Sequence, residues 1–221
     1  MKKILIVNIA LTLFATFASA QETVVATANR TDFRERFMFG LKAGTNFSKI
    51  YDSQNTSAVS DGKFGFAGGL FIAIPIGELF GIQPEVMFSQ KGFKATADIL
   101  GNNFNFTRTT NYIDLPIFFA FKPSEFLKLL AGPQYSYTMQ QNTKITSGTT
   151  TLAEEQIILN NSIRKNILGF STGFEFTMKH VVMGARVAWD LQTNNADGSA
   201  SSPRYKNMLY QFTAGYRFYQ Q

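Results

Sequence analysis

From Phe37 onward the chain alternates apolar side chains with small or polar ones at a period of two, as a strand does when only one face lies in an apolar medium. The stretch "IDLPIFFAF", residues 113–121, shows it plainly. Ile113, Leu115, Ile117, Phe119 and Phe121 share one face, and Asp114, Pro116, Phe118 and Ala120 the other. The same pattern runs through 37–47, 64–74, 80–88, 127–137, 168–176, 181–191 and 208–218, so eight strands are expected.

The connections alternate as well. "GEL", "KPSEF" and "KH" are short, whereas 48–63, 92–108, 140–165 and 192–206 are long and rich in Asn, Thr, Ser and Gln. Short turns at one end and long loops at the other are the mark of a transmembrane β-barrel. An even strand number puts both termini with the short turns on the periplasmic side, and the long loops are expected outside as solvated segments.

Alternation alone leaves open whether the apolar face looks outward into lipid or inward into a ligand cavity. Three features favour lipid. The apolar set carries no Lys, Arg, Asp, Glu or His, as a lipid-facing wall requires. The opposite set is too rich in Gly, Ala, Ser and Leu for a water-facing surface. Eight strands each sending several Phe, Leu, Ile or Tyr inward would also overfill so small a barrel. The expected fold is therefore an all-β, eight-stranded antiparallel up-and-down transmembrane barrel, with aromatics such as Phe37, Phe80, Tyr137, Trp189 and Phe218 near the strand ends.

The inward set holds four cations and four anions: Lys42, Lys128, Arg186 and Arg217 against Glu85, Asp114, Glu175 and Asp190. Enclosed together they are expected to pair as a structural lumen network, because a buried charge without a partner is costly. Pro84, Pro116 and Pro133 fall inside strands, where a missing N–H interrupts the ladder, so bulges or local irregularity are expected there.

The first residues read as a signal peptide over 1–20: Met1-Lys2-Lys3, an apolar run from Ile4, and Ala18-Ser19-Ala20 at the cleavage site. Residues 21–36 are polar and aperiodic, a periplasmic tail or linker ahead of a barrel domain spanning 37–221. No stretch offers the roughly 20 apolar residues of a membrane helix. The formal net charge of +6 falls to +4 once Lys2 and Lys3 leave with the leader, which gives no argument for nucleic acid as a partner. There is no cysteine, hence neither a disulfide nor a lipid-bearing Cys.

Chemistry is sparse. The only histidine, His180, falls in a tight turn without a triad-like spacing to a nucleophile. Glu85 and Asp114 on adjacent strands could form an acid–base carboxylate pair, but pairing with lumen cations is the better reading. Catalytic, cofactor and metal sites are expected to be none.

"GLKAGTNFS" (40–48), "IQPEVMFSQKG" (82–92), "NYIDLP" (111–116), "AGPQYSY" (131–137) and "YQFTAGYRF" (210–218) resemble the PorT-like outer-membrane β-barrel family, over about residues 37–218. The resemblance implies an eight-stranded barrel in the outer membrane of a Gram-negative bacterium, with no common catalytic site. The expected function is that of a non-enzymatic scaffold acting through its long loops. Its partners would be outer-membrane lipid, the barrel-assembly machinery during insertion, and a protein or glycan at the loops. The alternatives are a small lipid-modifying enzyme and a secreted soluble ligand-binding barrel.

Overall fold

The computed structural model describes residues 32–54, 59–99, 102–148, 150–157, 163–195 and 204–218. The expected signal peptide and residues 21–31 of the expected tail lie outside them. Among the described residues nine strands follow in chain order: β1 (Met38–Gln54), β2 (Val59–Pro75), β3 (Phe80–Ile99), β4 (Asn102–Phe121), β5 (Leu127–Ser147), β6 (Thr150–Ile157), β7 (Asn166–Met178), β8 (Val181–Asp190) and β9 (Arg204–Phe218).

Eight of them close a ring of antiparallel neighbours. β1 to β5 pair in sequence, β5 pairs with β7, β7 to β9 pair in sequence, and β9 returns to β1 along Phe39↔Phe218 to Tyr51↔Lys206. β6 is the ninth strand and stands outside this count. It pairs with Gln141–Ser147 of β5, beyond the Leu127–Tyr137 stretch that β7 occupies. The up-and-down barrel of eight strands is thus present, with one further strand on its long-hairpin end.

Facing follows the two-residue period. Leu41 lies opposite Leu70 on one side and Tyr216 on the other, and all three are exposed on the outer wall. Its neighbour Lys42 is opposite Gly69 and Gly215 and is buried in the lumen. Gly215 is required by close approach: a Cβ there would lie 2.3 Å from the Leu41 carbonyl oxygen. Ile117 and Phe119 are exposed, and Asp114, Phe118 and Ala120 are buried, so the odd residues of 113–121 form outer wall and the even ones fill the lumen.

Aromatics gather outward near both rims. At the short-turn end Phe39 stacks on Phe218, and Phe80 meets Phe119 and Phe121; at the other end Phe47 meets Phe64, and Phe170 meets Trp189. The tightest short turn is Lys179-His180, where Lys179 adopts φ 49°, as a two-residue hairpin demands.

One expectation needs correction. The long connections are not simple loops. β3 and β4 pair as far as Ile99↔Asn102, and β5 and β6 as far as Ser147↔Thr150, so much of 92–108 and 140–165 is paired strand. The alternation fades there because polar residues such as Lys94 and Thr96 take the outward positions, but Thr- and Phe-rich segments still pair once a neighbouring strand templates them. Of the bulges or local irregularity expected at the prolines, the irregularity is present as an interrupted ladder beside Pro84 and Pro116, whereas no bulge shifts the register there. Pro84↔Ile117 and Met87↔Asp114 keep one offset, as do Pro116↔Gln134 and Phe119↔Ala131, so two pairs are skipped each time and the strands continue in step. Proline's fixed φ fits an extended chain, and only its donor is lost. The register shifts fall instead at Tyr51/Gln54, Gly62/Ala67, Asn111/Tyr112 and Ile145/Thr146.

Candidate functional site: the polar lumen

The pleat sends every second residue of eight strands into the lumen, and five of the strands meet there in one charged cluster. Lys42 of β1 donates to Glu85 of β3 at 2.6 Å and also to Glu175 of β7. Arg186 of β8 donates to the other Glu85 oxygen at 2.7 Å. Lys128 of β5, directly opposite Glu175 in register, lies 3.5 Å from it and donates to Gln83 Oε1 at 2.6 Å. The Gln83 amide then donates to Glu85 at 2.8 Å and to Glu175 at 3.1 Å. Three cations, two carboxylates and one amide from five strands thereby share their hydrogen bonds.

Aromatic faces support the cations. The Lys42 ammonium stands 4.5 Å from the Phe71 ring centre, and the Arg186 guanidinium 5.6 Å from that of Phe118. Phe118 is fully buried and packs with Ala120 and Leu130, an apolar plug beside the charges. One pocket, lined by Lys42, Leu130, Glu175 and Arg186 together with Phe174 and Ala185, holds about 10 Å³, room for a single water.

Toward the long-hairpin end lies a neutral belt. Asn46 donates to Ser89 at 2.8 Å and accepts from Gln211 at 2.6 Å. Beyond it Lys91 pairs with Asp114 at 3.0 Å, donates to Ser136 at 3.3 Å, and stands 4.5 Å from the Tyr112 ring centre. Asp190 accepts from the Asn207 backbone N–H at 3.2 Å and from its side-chain amide at 2.7 Å.

The eight residues expected to form one network are therefore distributed. Lys42, Glu85, Lys128, Glu175 and Arg186 come together. Asp114 joins Lys91, Asp190 joins Asn207, and Arg217 sits at the short-turn mouth. Asp114 and Glu85 have separate cationic partners, Lys91 for the first and Lys42 with Arg186 for the second, and Met87, not Glu85, lies opposite Asp114. Sequence reasoning missed Lys91 and Gln83. Lys91 shares the parity of Glu85, Met87 and Ser89, so extending the inward set by one step past Ser89 finds it. Gln83 carries no charge to draw notice.

At the short-turn mouth the chain ahead of β1 makes a 3-10 turn, Phe33–Glu35, capped by Asp32, whose carboxylate accepts from the Arg34 backbone N–H at 2.9 Å. The Arg34 side chain binds Asp32 and Glu78, and the hydrogen bonds from Arg34 hold the Asp32 carboxyl below its ordinary range. The Lys122 ammonium donates to the carbonyls of Arg34 and Gly77, the latter at 2.9 Å. Burial pushes its pKa down to about 8, aided by the positive charges of Lys128 and Arg34. Arg217 donates to the Lys179 carbonyl and lays its guanidinium 4.9 Å from the Phe33 ring centre. His180 stacks on Tyr216 at 5.0 Å, with Nδ1 3.1 Å from the Arg217 carbonyl oxygen. Residues 32–36 are thus packed across the mouth.

Residues 19–218 match the family model described as outer membrane protein beta-barrel domain. No curated protein matches the chain. Among solved structures, the attachment invasion locus protein Ail of Yersinia pestis is 14% identical, with a TM-score of 0.48 over 83% of this chain and 99% of that one. OprG of Pseudomonas aeruginosa is 10% identical, with a TM-score of 0.44 over 85% and 98%. A major outer membrane protein of Thermus thermophilus is 15% identical, with a TM-score of 0.44 over 82% and 99%.

Proposed function

The chain belongs to the outer membrane protein beta-barrel domain family, and on that footing we propose that it is a non-enzymatic interaction scaffold, narrowly of the PorT-like kind. It would present paired hairpins outside the cell on a barrel whose lumen is shut. One observation carries this reading: the Lys42, Glu85, Lys128, Glu175 and Arg186 cluster joins side chains of five strands across the lumen, while β3 to β6 continue past it as sheet. A cross-section filled by paired charges has no room for a solute path, so polar substrates have no route through it. The long hairpins are the surface left to carry specificity, since outer-membrane barrels keep their short turns in the periplasm and their long connections outside.

The lumen network is proposed to be structural. Its carboxylates are engaged by lysine or arginine, an arrangement suited to holding strands together rather than to exchanging protons with a substrate. The partner at the hairpins would be a protein or a surface glycan.

The test combines two measurements on purified protein. In a planar bilayer, no sustained conductance above that of a proton or small-ion leak is expected, and a steady large channel would overturn the closed-lumen reading. Replacing 92–108 by a two-residue turn is expected to leave the heat-modifiable gel mobility of the barrel intact while abolishing adhesion of expressing cells to a glycan or protein array. Unchanged adhesion would remove the hairpins from the function.

A further inference from the structure

Toward the long-hairpin end the β3–β4–β5 sheet changes its apolar side. The register of β3 and β4 runs without a shift through Met87↔Asp114, Lys91↔Thr110, Phe93↔Arg108 and Ala95↔Phe106 to Ala97↔Phe104, so one face of the hairpin continues the lumen face. On β5, past the shift at Asn111/Tyr112, that face takes Gln141, Thr143 and Ile145, opposite Thr110, Arg108 and Phe106. Within the wall this side carries Glu85, Ser89, Lys91 and Asp114; beyond it Ala95, Phe104, Phe106 and Ile145 make it apolar. The opposite side, which continues the lipid-facing wall, bears Lys94, Thr96 and Asn105, all exposed.

A hairpin that served only as a solvated spacer would need no apolar side. Here Phe104, Phe106 and Ile145 are partly buried on paired strands and keep part of their surface open. At the foot of this wall the Phe93 ring meets that of Tyr205 edge-on at 5.1 Å, and both are buried. Phe93 is on β3 and Tyr205 on β9, with β2 and β1 between them in the ring, so their contact crosses the lumen. One charge stands in this apolar surround. The Arg108 guanidinium lies 5.7 Å from the Phe93 ring centre, and its Nε donates to Thr143 Oγ1 at 3.3 Å. Among the described residues no carboxylate lies within ion-pair distance of it. From Arg108 to Phe104 the strand rises about 13 Å, the length of a medium-chain acyl group. An apolar wall with a single anchored guanidinium at one end is the complement of an acyl chain that ends in a carboxylate.

We propose that the lumen-side face of the β3–β4–β5 hairpin sheet binds a medium-chain carboxylate amphiphile, its carboxylate at Arg108 and its acyl chain along Phe106, Ile145 and Phe104. The charge of Arg108 selects the head group, and the change of apolar side supplies the wall. Phe93 and Tyr205 hold the ligand above the charged lumen. The site goes beyond the scaffold reading and makes the base of the hairpins a place of small-molecule capture.

The experiment is isothermal titration of decanoate into the full chain in phospholipid nanodiscs, with empty nanodiscs as the partition control and with decanol and acetate as companion probes. One decanoate per chain is expected beyond the partition into lipid. Decanol should bind roughly tenfold more weakly, because it leaves the guanidinium without a charged partner, and acetate should not displace decanoate, because it lacks the chain. Arg108→Gln should bring decanoate down to the level of decanol, Phe106→Ser should weaken both, and Lys94→Gln on the opposite face should change neither. Glu155, opposite Thr143 on β6, would compete with the ligand for Arg108, so Glu155→Gln should not weaken binding. No decanoate beyond the empty discs, or equal binding of decanoate and decanol, would overturn the proposal on wild-type protein alone. Loss of binding with Lys94→Gln or Glu155→Gln in protein that keeps its heat-modifiable mobility would overturn the placement, and full displacement by acetate would overturn the acyl wall. Conductance and adhesion do not enter this titration, so the scaffold reading and this site can each fail alone.

Discussion

Lys128 and Glu175 face each other across the β5–β7 register, Nζ to Oε2 at 3.5 Å, and both are buried. Glu175 also serves Lys42, so it neutralises two cations that came from strands far apart in sequence. Removing it leaves Lys42, Lys128 and Arg186 against Glu85 alone. Glu175→Gln is expected to destabilise the barrel by about 3–5 kcal/mol, the cost of stranding buried charge. Replacing the pair by Lys128→Met with Glu175→Leu should cost far less. Urea titration into lipid vesicles, read by heat-modifiable mobility, checks both; a glutamine variant as stable as wild type would show that the network adds nothing to the barrel.

The wall gives a second prediction, on opposite faces of one strand. Ile117 is 56% exposed on the outer face and Ala120 3% exposed in the lumen. Ile117→Arg near mid-wall is expected to cost about 2–4 kcal/mol. Ala120→Ser, beside Phe118 and Leu130, should cost about 1–2 kcal/mol, the price of one buried hydroxyl. Folding yields measured in vesicles of matched thickness separate the two, and equal yields would reverse the assignment of faces.

The faces were readable from sequence because lipid imposes a sharp rule on one of them: residues 113–121 show it without any partner strand in view. The hairpin extensions were not readable for the complementary reason. Past Gln90 the outward positions of β3 become Gly92, Lys94 and Thr96, so the contrast between faces vanishes although pairing continues to Ile99. Lys91 was lost at that boundary, and with it the true partner of Asp114. Which cation meets which carboxylate depends on the register and on the closing β1–β9 seam, and both arise from contacts remote in sequence. Arg217 shows the same limit: its inward parity is legible, but its place over the Phe33 ring depends on how residues 32–36 cross the mouth.

Lys122 supplies a pH dependence outside the spanning wall. Its folded pKa of about 8 is below the 10.5 of an ordinary lysine. Between those values the unfolded chain holds a proton that the folded chain has released, so stability rises with pH across that interval. Below about pH 8 both states are charged and the folded state bears the whole cost of the buried ammonium. Lys122→Met is expected to flatten the stability profile between pH 8 and 10.5. A titration of the ¹³C-methylated lysine by NMR in micelles should give a midpoint near 8; a midpoint near 10.5 would mean that the ammonium is solvated and that the mouth is open.

Phe33 under Arg217 provides the last test, because it distinguishes a packed mouth from a loose tail. The ring, the Arg34 pairs with Asp32 and Glu78, and the Lys122 hydrogen bond to the Arg34 carbonyl all hold the same short segment. A cation–π contact at a partly exposed site is worth about 0.5–1 kcal/mol, which changes a local opening equilibrium by about two- to fivefold. Phe33→Ala is therefore expected to speed amide exchange at residues 33–36 by roughly that factor while leaving exchange in β1 and β9 unchanged. If exchange rises equally along β1, Phe33 supports the barrel rim and not the segment alone. If it does not rise at all, the segment is held by Arg34 and Lys122, and the Arg34→Ala variant should then release it.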